Sequence, residues 1–499
     1  MTAFRRLLPL LLAAAVLLAS CGAPQEAETV QAGEGPVAAP PAQPSPQVVR
    51  VPYDPADSLN PYTCVTLQNF YVTNLIYDSL AALDPAYKAQ PRLAQELTRD
   101  GAQWIARLRP DARFFDGSPV TAQDVVYSYG LAAAGSRFGA ALGQVTDVQA
   151  PNDATVVFTL ARPDIYFDRS LTFPVVKLNT GELPIPMGGG RYAPSDDGTA
   201  LLANGAYYTP VSNVRRVDLV EAGDLESQSY GVMEKTIDLM YSDLRSELNL
   251  GLGTGHPQVQ MSSLVFLGVN ARGALAEPRM RAALSALVDR DDINRKTQMS
   301  FASVAYSPIR PSYGGSAVTG PEPGADRADD ILDQLGYGTR DTDGYRTAGQ
   351  SPLTLRLLVN QENKTRTAAA ELIAASFEQA GIRTVVEKAP FDAYLGRIAA
   401  GDYDLYLGES RVPYNLDILD LLTNTGTVGA GAAQSQELEE LYHRVKAGEA
   451  PMSQLDTLIR QQTPLIPILY RRGIVCFSRD FSANIVATER DIFYNIGDW

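Results

Sequence analysis

A chain of 499 residues, 45% hydrophobic and 20% charged, is ordinary globular material and long enough for two or three cores rather than one. A formal net charge of -15 and a pI near 4.7 argue against nucleic acid or an anionic membrane surface as a partner, because the phosphate term would be repulsive. Solubility accounts for the acid excess.

The first twenty residues read as an export signal. Arg5 and Arg6 precede an apolar run from Leu7 to Leu18, and Leu18-Ala19-Ser20-Cys21 closes it with small residues before a cysteine and Gly22. That is the pattern of a bacterial lipoprotein signal, which would make Cys21 the acylated mature N-terminus, anchored outside the cytoplasmic membrane without spanning it. No other apolar run reaches spanning length. Residues 21–47 are rich in Ala, Pro, Gln, Gly and Glu, lack periodicity, and read as a disordered tether. Two cysteines remain, Cys64 and Cys476, with no metal-site spacing; a disulfide and two buried thiols are both open in an exported chain.

Val48 to Tyr53 predicts a strand, Asn60-Pro61 a turn, and Thr66 to Tyr77 a helix. A strand over 103–109 meets a corner at Pro110 and Asp111. Asp116-Gly117 and Ser118-Pro119 supply turn chemistry there, and Thr121 caps a helix to about Ala134 with Val125, Val126 and Tyr129 on one face. Residues 143–160 read as strand. Gly188, Gly189 and Gly190 lie in a Pro-rich run that lacks both a lysine at P-loop spacing and GxGxxG, which argues against a phosphate cradle. Residues 214–248 read as strand-helix units, with Tyr241-Ser242-Asp243-Leu244 opening a helix. Val265 to Asn270 is a buried strand, and Pro278 to Arg290 a helix whose Asp289 and Arg290 serve capping and salt bridging. Asp341, Asp343 and Gly344 look like half an EF-hand loop without its closing glutamate, so a solvated turn is expected. A strand at 353–359, a helix at 365–380, another at 395–399 after Phe391-Asp392-Ala393-Tyr394, and a strand opened by Gly401 to Leu405 form an α/β repeat. Apolar Pro464 to Tyr470 follows near the end.

Several of these phrases carry a resemblance. Leu108, Arg109, Phe114, Asp116, Gly117, Thr121, Ala122, Asp124, Val125 and Tyr129 resemble a segment of the extracytoplasmic solute-binding proteins of family 5, the oligopeptide, dipeptide and nickel class that feeds ABC importers. Leu59-Asn60-Pro61, the helix with Arg281, Ala283, Leu284, Ala286, Asp289 and Arg290, the 332–345 loop and Gly401 to Leu405 match in the same order. The resemblance implies an α/β, bilobed periplasmic-binding-protein-like fold of type II, cluster C, with an extra small domain inserted in the first lobe. Its expected parts are a signal peptide at 1–20, a tether at 21–47, lobe I from 48–80, 184–270 and 473–499, small domain II at 81–183, and lobe III at 271–472. Cys64 and Cys476 then share a lobe.

The resemblance also directs attention to a cleft. In peptide-binding members a charged residue after the strand begun by "GDYDL" pairs with the ligand amine, and in dipeptide receptors an arginine takes the carboxylate. Here Gly408 is followed by Glu409, Ser410, Arg411 and Val412, and the arginine's region reads Val359-Asn360-Gln361-Glu362. An altered charge pattern implies an altered ligand, since breaking a buried pair costs about 3–5 kcal/mol. The expected ligand-binding set is Asn60, Arg191, Glu409, Arg411, Tyr414, Asn415 and Asp417. Arg411 either favours a carboxylate-bearing end or pairs with Glu409 at the surface.

The resemblance thus implies a lipid-anchored, monomeric receptor that captures a peptide or peptide-like solute and delivers it to permease subunits with cytoplasmic ATPases, needing no cofactor or metal. A sensory lipoprotein without a transporter uses the same cleft and tether. A hydrolase is poorly supported, because His256 and His443 stand near no GxSxG or HExxH motif, though carboxylate-only chemistry stays open. Two histidines and no cysteine cluster argue against protein-ligated nickel.

Overall fold

The computed structural model describes residues 47–210, 212–244, 257–313, 324–423, 431–478, 480–481 and 483–499. Cys21, expected to be lipidated, and His256 lie outside the described residues. Alternating burial makes β1 (Val48–Tyr53), and α1 (Leu67–Ile76) follows, started by Asp57, whose carboxylate accepts from the Thr66 N–H at 2.8 Å and hydroxyl at 2.6 Å. A hairpin of β2 (Ala81–Leu83) and β3 (Ala89–Pro91) leads to β4 (Ala94–Asp100) and β5 (Gln103–Leu108).

The corner after β5 forms as its residues dictate. Gly117 takes φ +82°, Asp116 accepts from the Ser118 N–H at 3.0 Å, and the Asp124 carboxylate accepts from the N–H and hydroxyl of Thr121 at 2.8 and 2.6 Å. Helix α2 (Ala122–Ala134) runs from there. The stretch 143–160 is two strands, β6 (Val145–Asn152) and β7 (Thr155–Leu160), because the Asn152 side chain accepts from the Ala154 N–H and turns the chain. These strands form a sheet in the order β4-β5-β7-β6. β8 (Tyr192–Pro194), β9 (Ala200–Ala203) and β10 (Arg216–Glu221) build a second sheet, β1-β10-β9-β8, in which β1 and β10 are parallel.

Tyr241 and Ser242 end a strand, β11 (Leu239–Ser242), instead of opening a helix; Leu244 at φ +57° turns the chain after it. Four consecutive buried side chains there outweigh the Ser-Asp capping signal. Next come β12 (Gln258–Val269), α3 (Pro278–Leu287) and α4 (Arg290–Gln298). The expected single helix breaks at Val288, where the backbone is extended, and Asp289 caps α4 by accepting from the Asp292 N–H at 2.9 Å. Arg290 is buried and donates to the carbonyls of Ser285, Val288, Ala305 and Pro467 at 2.9–3.3 Å. Five fixed donors suit converging carbonyls that packing brings inward.

β13 (Thr354–Asn360), α5 (Lys364–Gln379), β14 (Arg383–Ala389), α6 (Phe391–Ala399), β15 (Leu405–Arg411), α7 (Gln436–Ala447), α8 (Met452–Gln462) and β16 (Leu465–Phe477) are the larger elements of the rest of the chain. The third large sheet runs β11-β16-β12-β15-β13-β14, with Ser303–Val304 added beside β16. Its period-two pattern splits cleanly: Val265, Leu267, Leu357, Leu405 and Leu407 pack in one core, and Leu264, Phe266, Leu358 and Tyr406 in the other. β12 and β16 also reach a third core. Val259 and Val475 pack there with β1, α1, β5 and β7, and a register shift between Gln260 and Leu264 separates the two ends of β12.

Candidate functional site

A cavity of about 540 Å³ opens beside that register shift. Its walls are Phe70 and Tyr71 of α1, residues 136–141 after α2, Tyr241 and Asp243 at the end of β11, Met261 and Ser262 of β12, the segment 411–420 after β15, and Glu489 with Arg490. The shift takes the Ser262 peptide out of the β12–β16 ladder. Its N–H donates to Glu489 Oε2 at 2.7 Å and its carbonyl accepts from the Val412 N–H at 2.9 Å.

The segment after β15 is clamped from several sides. Leu416 takes φ +59°, the Tyr414 ring stacks on Tyr87 with centroids 5.1 Å apart, and the Tyr414 carbonyl accepts from Arg169 at 3.3 Å. Lys446 donates to the carbonyl of Asn415, and the Tyr442 hydroxyl donates to Asp417 at 3.0 Å. A rigid rim results.

Both signs of charge line the cavity: Arg137, Arg169, Arg411 and Arg490 face Asp243, Asp417, Asp420 and Glu489. Arg137 stacks over the Phe70 ring at 4.0 Å and donates to the Cys64 carbonyl at 3.0 Å; Arg490 stacks over Phe138 at 4.9 Å. Burial lowers the basicity of both guanidinium groups. Burial, then the charges of Glu489 and Asp243, raises the Tyr241 hydroxyl, which stays protonated. Such a lining offers a polar solute charges of both signs and aromatic faces. Among the described residues no cluster of three or more His, Cys, Asp or Glu side chains could hold a metal ion. Cys64 and Cys476 are both free and buried.

Of the expected set, Arg411, Tyr414, Asn415 and Asp417 line this cavity. Glu409 does not pair with Arg411. It faces a separate recess of about 280 Å³, with Arg366 at 2.7 Å and Arg471 at 3.4 Å. Asn60 is buried and donates to the carbonyls of Gly181 and Leu183 at 2.7 and 2.8 Å, pinning its loop. Arg191 lines a small cavity of about 80 Å³ with Asp78, Arg92 and Asp491, and lies over the Tyr207 ring at 4.9 Å. Glu489, Arg490, Arg137 and Tyr241 escaped the sequence reading. Only one faint signal existed, a Glu-Arg dipeptide ahead of the apolar C-terminal run.

Residues 88–423 match the family described as bacterial extracellular solute-binding proteins, family 5 Middle. The periplasmic murein peptide-binding protein MppA of Escherichia coli (strain K12) is 22% identical over 478 residues, 85% of this chain and 87% of its own length. The periplasmic oligopeptide-binding protein OppA of the same organism is 22% identical over 484 residues, 83% and 85% of the two chains. The structure of a nickel ABC transporter protein from Bacillus halodurans superposes with a TM-score of 0.75 at 19% identity, covering 90% of this chain and 98% of that one. The fold is therefore the bilobed α/β fold of these binding proteins, and no helix among the described residues is long and apolar enough to cross a membrane. With a match over most of its length and the fold to go with it, this chain belongs to the bacterial extracellular solute-binding proteins of family 5.

Proposed function

We propose that the protein is the extracytoplasmic receptor of an ABC importer, closing over a peptide or peptide-like small solute and delivering it unchanged to membrane permease subunits. The observation that carries this reading is the cavity beside the β12 register shift, with four arginines and four acids around aromatic faces. The names of MppA and OppA, which describe peptide binding, support the solute class. In this reading 48–80, 184–270 and 473–499 form one lobe, 81–183 the small domain and 271–472 the other lobe, with the irregular stretch of β12 as the hinge. Arg411, Tyr414, Asn415 and Asp417 contact the solute, Arg411 at its carboxylate. Cys21 carries the lipid anchor, the tether holds the receptor off the bilayer, and the receptor works as a monomer.

Native mass spectrometry of the freshly purified chain, followed by calorimetry with short peptides, tests the reading. A co-purifying or titrated peptide released intact is expected. Failure to bind any of a random tri- to pentapeptide set, or release of a cleaved product, rejects it.

A further inference from the structure

Two residues that line the cavity each carry a buried polar atom left without a partner by a fold that satisfies its neighbours. Glu489 is 9% exposed; its Oε2 accepts from the Ser262 N–H and from the Tyr414 hydroxyl at 2.9 Å, while its Oε1 accepts nothing. Tyr241 is 7% exposed, and its hydroxyl likewise has no partner. The two residues are joined through Tyr71, whose ring packs edge-on against Tyr241 at 5.4 Å and whose hydroxyl donates to the Glu489 carbonyl at 3.2 Å. A buried carboxylate oxygen accepts only, so whatever completes it must donate.

We propose that Glu489 Oε1 and the Tyr241 hydroxyl form the receiving site for a primary ammonium group of the solute. The inference rests on the peptide-receptor reading and adds to it which residue selects the amine. An ammonium supplies three donors and a positive charge, enough for both orphan atoms and for the carboxylate's charge. Arg411, in the same cavity, makes no side-chain hydrogen bond or ion pair among the described residues. An anion and a cation that share a cavity and leave each other unpaired complement a zwitterion. Asp417, on the rim after β15, is already engaged by Tyr442 and by Gln144 at 3.5 Å, so it is not the open acceptor.

The test is competition. The full chain is incubated with a random tetrapeptide library mixed with an equal amount of its N-acetylated copy, and bound masses are read by native mass spectrometry. The parent should retain free-amine peptides over acetylated ones by roughly 10- to 100-fold, the range of a charge-assisted hydrogen bond. In Glu489→Gln the amide oxygen can keep both internal donors and present its NH2 to the cavity, so the preference should fall below about twofold. Tyr241→Phe should lower it several-fold. An unchanged preference in Glu489→Gln overturns the assignment, as does equal uptake of both forms by the parent; if the parent takes neither, the peptide reading falls with it. Near-UV circular dichroism reports folding. Should Glu489→Gln not fold, Tyr241→Phe decides, and an unchanged preference there overturns the proposal.

Discussion

Lys446 Nζ lies 2.7 Å from Asp164 Oδ2, with the two side chains 5% and 0% exposed. The pair joins the loop after β7 to α7. Beside it the Ile165 N–H donates to the Lys446 carbonyl at 2.8 Å, and Lys446 also holds the carbonyl of Asn415 on the cavity rim. Burial raises the Asp164 carboxyl and lowers the Lys446 ammonium, so each charge persists because of the other. Lys446→Met leaves a buried carboxylate unpaired and should cost about 3–5 kcal/mol in urea unfolding at pH 7. Replacing both partners, Asp164→Leu with Lys446→Met, should recover most of that loss. Equal losses in the single and double variants would show that the ion pair is not the cause.

Arg411 is exposed and carries no internal partner, so Arg411→Ala should change the unliganded protein's stability by less than about 0.5 kcal/mol. Its effect should appear with ligand. The thermal shift produced by a peptide with a free carboxylate should shrink, corresponding to about tenfold weaker binding, while that of the C-terminal amide stays the same. Equal loss for both peptides would remove Arg411 from the carboxylate.

Asp491 sits in the small cavity with Arg92 and Arg191, and burial pushes its carboxyl up to about 6, against the Phe493 N–H and Arg92, which pull it down. The folded pKa exceeds the unfolded one, near 3.8. Between these values the folded state therefore binds more protons, and this group's contribution to stability declines as pH rises through the window. Asp491→Asn removes the penalty and should stabilise the protein by about 1–3 kcal/mol at pH 7–8, with no gain below about pH 4. A gain independent of pH in thermal unfolding would contradict this origin.

Gly190 passes against the end of α1, where an added Cβ would lie 2.5 Å from the Leu75 carbonyl oxygen. Gly205 meets nothing within 4 Å. Gly190→Ala should cost about 1–3 kcal/mol through overpacking, and Gly205→Ala less than about 0.5. Chemical denaturation of the two variants side by side gives the comparison; similar midpoints would mean that the chain yields there without cost.

The glycine run and the corner at 108–129 show how far local sequence reaches. Asp116 meets Ser118 two residues on and Thr121 meets Asp124 three residues on, and the expected turn and helix start are both present. The strands β13 and β15 also lie where strands are expected, while α6 starts at Phe391, four residues before the expected Leu395. Tyr241-Ser242 went the other way: a local helix-start signal lost to a sheet edge supplied by residues 474–477, more than two hundred positions downstream.

By itself, the sequence determined most of the elements, their order and the family resemblance, because turn chemistry and hydrophobic period act over a few residues. Tertiary structure alone decided which charges meet. Glu489 reaches the Ser262 N–H across 227 positions, Glu409 turns to Arg366 and Arg471 instead of the nearby Arg411, and Arg290 finds carbonyls. A charged side chain takes its partner from whatever packing places within about 3 Å, and that neighbourhood is assembled from segments distant in the chain.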